Sequence, residues 1–436
     1  MQFRDWSASY RLFTQQRLDR DLLMQVPIAA VVSALPPNAP VVSLIDDTII
    51  RKRGRHVAGT SWRRDPLGPA FADNFVWANR FLQISLALPE QPGSPCSLCR
   101  AIPVDFTHAP SPRKPNKKAP ESEWADWRKE SAASAVSSLG AQRLHVLRQA
   151  IDAQPNGKSR ALWCSADGTF TNRSVFKDLP ERTVLIGRVR KDAKLFSPPT
   201  PEQENHGRGR QRAYGSPFPT PEQVRQDESI PWEKADACAA GKQYTFDVKL
   251  IAPVRWKAAG AERSLSLLIV RPISYHLRRQ AKLDYHAPVY LLCTDPTLTA
   301  QQILQAYLWR WEIEVNFRDE KTLLGVGQAQ VRKREAVEST ACFGVFTYSL
   351  LLLAMARTGH LHSPLPRPLW IRPRPNRPLQ RISTSQGISM FRSALWSDPL
   401  LPPLPNKNDF AAASTTAVKH LISSNPLASS LFYAQQ

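Results

Sequence analysis

The sequence predicts an α/β domain interrupted by an insertion, and three features lead to that reading. Short apolar runs of buried-strand type punctuate the first half of the chain: Val41–Ile45, Phe75–Leu88, Ala161–Cys164 and Thr183–Arg190. A long interruption follows, first rich in proline, arginine and glutamine and then strand-like. The chain then returns to an apolar strand, Pro288–Cys293, and passes into a helix bearing acidic residues, Thr299–Lys321.

The first forty residues place Tyr10, Phe13, Leu18, Leu22, Leu23 and Val26 at roughly helical spacing before Pro27, so residues 1–40 are expected to be a helical N-terminal segment. The run Val41–Ile45 ends abruptly in Asp46-Asp47-Thr48, with Arg51, Lys52, Arg53 and Arg55 close behind. Pro103–Glu121 is too polar and proline-broken to form an element, whereas Trp124–Ala153 reads as one long helix or a helix pair. Ser197–Gln226 has no periodicity, and Tyr244–Val254 and Ser264–Val270 alternate like a hairpin across Gly260. The expected organisation is therefore one α/β domain in two parts, 41–196 and 286–360. A mostly β insertion over 197–285 separates them, and a Pro-rich basic region over 361–436 follows, extended around Pro364–Pro378.

The uncharged stretch Val345–Ala356 falls short of the ~20 residues of a membrane span and includes Thr347 and Ser349, which predicts a buried helix and no membrane partner. The N-terminus has no apolar signal-peptide core, so a cytoplasmic location is expected. Cysteines at 96, 99, 164, 238, 293 and 342 include a lone Cys96-x2-Cys99 without a second ligand pair, and free thiols are the expectation. Charge is the unusual bulk property: 58 Lys+Arg against 37 Asp+Glu leaves +21. Such a surplus favours a polyanionic partner, because each phosphate neutralised by Lys or Arg releases condensed counterions.

The helix carries the most specific signal. At about 100° per residue, Tyr307, Arg310, Glu314 and Lys321 fall within one sector about 60° wide, while Glu312, Asp319 and Glu320 point elsewhere. One reading is a solvated face, with Arg310–Glu314 an i,i+4 ion pair. The other makes Glu314 a metal ligand and Tyr307, Arg310 and Lys321 holders of phosphates on an adjacent DNA strand. The spacing Y-x2-R-x3-E-x6-K in YLWRWEIEVNFRDEK resembles the signature of a large group of insertion-sequence transposases of the DDE class. That resemblance runs roughly from Trp6 to Lys333. It implies an RNase H-like mixed sheet with flanking helices, and makes Glu314 the third catalytic carboxylate.

The same resemblance places the first aspartate at the end of a central strand, followed closely by Thr or Ser. Asp46 in Leu44-Ile45-Asp46-Asp47-Thr48 fits, with Asp47 on the opposite face if alternation persists. Asp167, after Ala161–Ala166 and before Gly168, fits the second, with Asp192 as its competitor in a basic loop. Either aspartate could instead merely start a turn. Asp46, Asp167 and Glu314 would then bind two Mg²⁺ or Mn²⁺ ions for cleavage at element ends and strand transfer. Arg51, Lys52 and Arg190 are further candidate DNA contacts; Trp256 could stack on an unpaired base or pack within its hairpin. The implied partners are double-stranded DNA with terminal inverted repeats, target DNA and a second copy of the chain, on the nucleoid. A nuclease of the same fold that does not join strands, and a non-catalytic DNA-binding derivative, are the alternatives.

Overall fold

Asp19 opens the first well-packed element: its carboxylate accepts the backbone N–H of Leu22 and caps α2 (Arg20–Ala34), which follows the short α1 (Ser7–Thr14). The helix runs through Pro27, and its buried stripe is Met24, Pro27, Ile28, Val31 and Val32. Tyr10, Leu22 and Val26, expected on the packed side, are exposed. The denser apolar run beyond Leu23 sets the phase of burial, which outweighs the hydrogen bond that proline removes. The structure is a computed structural model. It describes residues 7–15, 17–65, 68, 69, 71, 74–94, 96–200, 212–239, 242–260, 263–276, 283–357 and 382–397.

The central sheet starts with β1 (Val41–Arg51), which pairs antiparallel with β3 (Phe75–Pro89), itself flanked by β2 (Ser61–Arg64) and β4 (Cys99–His108). On its other side β1 pairs parallel with β5 (Leu162–Ala166), and β5 with β6 (Thr183–Arg188). The path β4-β3-β1-β5-β6, antiparallel then parallel, is an RNase H-like arrangement. Strand β4 lies partly inside the stretch whose proline content predicted a loop. Pro103 sits beside a register shift in the β3–β4 ladder, and a bulge is where a strand tolerates proline.

The expected helical stretch after the loop is a pair, α3 (Glu121–Ala133) and α4 (Val136–Asp152), and a short α5 (Arg173–Lys177) follows β5. The stretch expected as an insertion contains β8 (Glu233–Ala239), β9 (Lys242–Trp256) and β10 (Leu265–Val270), preceded by β7 (Leu195–Phe196) and α6 (Pro221–Gln226). These strands continue the same sheet. β13 (Val289–Cys293) pairs antiparallel with β6 and β10, and β9 pairs with β10, β8 and β7. The hairpin expected across Gly260 forms, β9 pairing antiparallel with β10, and every residue of β10 is buried, as a strand apolar on both faces requires of a sheet interior. A separate two-stranded ribbon, β11 (Ser274–His276) with β12 (Leu283–Tyr285), projects from this region.

The helix expected over Thr299–Lys321 is two helices, α7 (Ala300–Trp309) and α8 (Trp311–Thr322). Thr299 and Gln302 form a reciprocal capping box that fixes the start of α7. Ile303, Leu304, Ile313 and Phe317 join Val42, Leu44, Ile186, Leu268 and Leu291 in one apolar cluster, so both helices lie on one face of the sheet. Fully burying a side chain such as Ile313 contributes about 1.5–3 kcal/mol. The final long helix, α9 (Arg334–Arg357), is long and apolar enough to cross a membrane by length and composition. Its portion up to Ser349 instead packs in the core: Ala341, Cys342 and Val345 are buried, Tyr348 bonds Asn316, and Ser349 donates to the Pro103 carbonyl. The chain divides into two compact units within this helix, Met1–Ser349 and Leu350–Gln436. Among the described residues the second unit contains the end of α9 and α10 (Thr384–Ser397). The stretch Pro364–Pro378, expected to be extended, lies outside the described residues.

Candidate active site

Strand register brings the two aspartates together. Ile45 of β1 stands beside Ala166 of the parallel β5, so Asp167, just past the end of β5, lies beside Asp46. Asp46, expected to end its strand, is mid-strand, because β1 continues to Arg51 along β3. Asp167 is held by a tight turn: its carboxylate accepts the Thr169 N–H at 2.9 Å and the Thr169 hydroxyl at 3.0 Å, and its carbonyl accepts the Thr171 hydroxyl. This turn packs so close to β6 that a Cβ on Gly187 would meet the Thr171 hydroxyl at 2.1 Å. Asp192 stands apart, exposed and paired with Arg190.

Asp46 and Asp47 have separate environments because successive residues of a strand face opposite ways. Asp47 receives two hydrogen bonds from Arg80, at 2.6 Å each. Asp46 accepts the Asp47 N–H at 2.8 Å and a hydrogen bond from Arg310 at 2.6 Å. Burial pushes its carboxyl up to about 7; Arg310 opposes that rise, and the charge of Asp167 adds to it.

Arg310 occupies the junction between α7 and α8. Its N–H bonds the Tyr307 carbonyl and its own carbonyl accepts the Ile313 N–H, both three residues away, a tightening that divides the helix. No glycine or proline marks this break. Trp309 donates to the Ser97 carbonyl on one side of it, and Arg310 reaches Asp46 on the other. The same guanidinium lies 3.4 Å from Glu314 and 5.7 Å from the Tyr307 ring centroid, and its Nε is buried without a hydrogen-bond partner. Glu314, in the first turn of α8 where a helix favours negative charge, is raised above the usual carboxylate range by burial, against the pull of Arg310. Asp167 acts electrostatically on Asp46, Arg310 and Glu314 alike. Asp46 and Glu314 thus both reach one guanidinium, and the charge of Asp167 acts on it. Among the described residues no three Asp, Glu, His or Cys side chains are drawn together closely enough to hold an ion as they stand.

The other candidates divide. Lys321 donates to the Thr48 hydroxyl at 2.6 Å, and burial lowers its pKa. Lys52 is committed to the backbone carbonyls of Gly327 and Ala329, and Arg51 pairs with Asp65. Trp256 packs edge-on against Phe176 and also lines a cleft of about 910 Å³ with Gly168, Arg188, Arg190, Lys191 and Arg225. All six cysteines are free, and the neighbour of Cys96 is Cys238 rather than Cys99.

Sequence periodicity gave no sign of the buried polar row beneath α8. Asn316 donates to Ser85 and to the Ala101 carbonyl, and Gln83 donates to Ser85. Glu320, which the helical projection turned away from the Glu314 stripe, is buried in this layer, and desolvation pushes it up to about 8. Only an inventory of polar residues on the inner faces of β3 and α8 would have found it, and that requires knowing which face is inner.

Among known families, the DDE superfamily endonucleases match residues 4–257, more than half the chain. That span contains Asp46 and Asp167 and ends before the helix of Glu314. No curated protein matches the chain. The chain belongs to the DDE superfamily endonucleases.

Proposed function

We propose that the protein is a DNA transposase of the DDE class that cleaves DNA at the ends of its element and joins those ends to target DNA. The observation carrying this reading is the grouping of Asp46, Asp167 and Glu314, from two adjacent strands and one helix, around Arg310. The signature spacing of Tyr307, Arg310, Glu314 and Lys321 supports the insertion-sequence subgroup.

The donor set suits a hard divalent cation. It consists of carboxylate oxygens alone, and it includes Asp46, whose carboxyl burial pushes up to about 7 against the pull of Arg310, with the charge of Asp167 adding to the rise. Asp46, Asp167 and Glu314 would hold two Mg²⁺ or Mn²⁺ ions. When bound, such ions supply Lewis-acid activation of the attacking oxygen and stabilise charge on the leaving oxygen. The protein's own part is positioning. The Thr169 turn fixes Asp167, the α7–α8 junction fixes Glu314, and Arg310 holds Asp46 in place. Lys321 and Tyr307 flank the site as contacts for the scissile strand, and the basic cleft beside Asp167 accommodates flanking DNA. Acting on two ends calls for two copies of the chain on the DNA, in the cytoplasm on the nucleoid.

Incubating the purified chain with supercoiled plasmid bearing the element's terminal inverted repeats, with and without Mg²⁺ or Mn²⁺, tests the reading. Nicks at the repeat ends that appear only with metal are expected; equal nicking in EDTA, or none with either metal, refutes it. The family's endonuclease description favours one second reading, cleavage without joining. Pre-cut repeat ends that never become joined to a target plasmid would select it.

A further inference from the structure

The sheet face opposite Asp46 carries a second concentration of positive charge. Arg80 of β3 already spends two donors on Asp47. Arg63 of β2 lies near enough for the Arg80 charge to act on it, so two guanidiniums share one carboxylate. Arg63 donates from Nη2 to the Ala109 carbonyl at 3.1 Å and to the Ser111 hydroxyl at 3.0 Å, but its Nε is buried with no partner. Burial and the neighbouring Arg80 push Arg63 down to about 10, the mark of a cation short of compensation.

Both arginines open into a cavity of about 210 Å³, closed by Ser111, Trp127 and the residues Ser134–Val136 at the start of α4. Helix α4 has 17 residues, and its N-cap, Ala135, has no side chain able to accept a hydrogen bond. The first-turn N–H groups of a helix have no partner within it and attract negative charge. The cavity therefore combines two guanidiniums, a serine hydroxyl and an uncapped helix start. From its rim at Pro110–Pro112 the chain continues into the exposed Arg113, Lys114, Lys117 and Lys118, a basic track better suited to a polyanion than to one small anion.

We infer that this cavity seats a backbone phosphate of duplex DNA, making β2, the 109–120 loop and the start of α4 a docking surface separate from the carboxylate site. The inference rests on the DNA-transposase reading. It assigns phosphate contact and positioning to this surface, not chemistry.

The experiment measures binding of a short linear duplex to the full-length chain in EDTA over a series of salt concentrations. The variants are Arg63→Gln and Ala135→Asp, with Glu228→Gln, an exposed carboxylate outside both sites, as control. Ala135→Asp places a carboxylate at the N-cap, where it caps α4 and fills the cavity, so its melting temperature should not fall. Both cavity variants should bind more weakly, with a slope of log K against log salt shallower by about one, while Glu228→Gln keeps the wild-type slope. A wild-type slope in a folded Ala135→Asp protein overturns the cavity assignment and leaves the transposase reading intact. A wild-type chain that binds no duplex and nicks no plasmid overturns both.

Discussion

Asp46 and Asp47 are neighbours in one strand, yet they lie in different electrostatic environments. On the α4 side, Asp47 has both oxygens satisfied by one arginine at ordinary hydrogen-bond lengths, a closed pair. On the α7–α8 side, Asp46 shares a single arginine with Glu314, feels the charge of Asp167, and is pushed up to about 7. The difference comes from burial and convergence, not residue type. One side of β1 meets another strand end and a helix junction that both bring carboxylates, whereas the other meets Arg80, with Arg63 close enough for the Asp47 charge to reach it.

The sharpest way to break the comparison is Glu314→Gln. It should reduce metal-dependent nicking by at least ~10²–10³-fold, the loss typical of removing one preorganised charge-stabilising group, while duplex binding in EDTA persists. Substantial nicking by this variant would place the chemistry elsewhere.

Arg310→Ala leaves Asp46 and Glu314 uncompensated and should lower stability by about 3 kcal/mol at high pH, the scale for breaking a buried ion pair. The loss should shrink below about pH 7, where burial already favours a proton on Asp46 and less charge is left unpaired. Thermal unfolding across pH measures it, and added Mg²⁺ should restore part of the melting temperature. A pH-independent loss would show that Arg310 acts through packing.

Asp47→Asn probes the closed side. Removing the carboxylate from a partly exposed bidentate pair should cost about 1–2 kcal/mol in denaturant unfolding, with metal-dependent nicking retained. Loss of nicking in a folded variant would put Asp47, rather than Asp46, in the site.

Glu320→Gln is read as a change in slope rather than as a single step. A carboxyl raised from 4.5 to about 8 in the fold stabilises the protein below its unfolded value, and that stabilisation drains away as pH rises toward 8. Within that window the wild type should lose about 1.4 kcal/mol per pH unit from this group, a slope the glutamine removes. Parallel pH profiles of melting temperature for the two proteins would mean that Glu320 ionises freely in the fold.

Several elements were legible because local pattern suffices for them. The apolar runs at Val41, Phe75, Ala161, Thr183 and Pro288 are strands, since runs of that length and composition pack best as buried strands. The i,i+4 placement of Arg310 and Glu314 follows from helix geometry alone. Other elements were not legible because they depend on partners distant in sequence. Strand β4 exists because β3 accepts it around a bulge at Pro103, and β9 and β10 extend the main sheet because β13 offers an edge. The helix breaks at Arg310 with no breaker residue in the sequence.

The sequence by itself determined the charge surplus, the apolar strands and helical stretches named above, and which acidic residues could lie at strand ends or on one helical stripe, because composition and periodicity are local properties. Tertiary structure alone decided that Asp46 faces Arg310 while Asp47 faces Arg80, that Asp167 leaves its strand beside Asp46, and that Glu320 is buried in a polar layer. Those outcomes depend on strand register and on which element covers which face of the sheet. Burial and the distances between charges are set only once residues far apart in the chain are packed together.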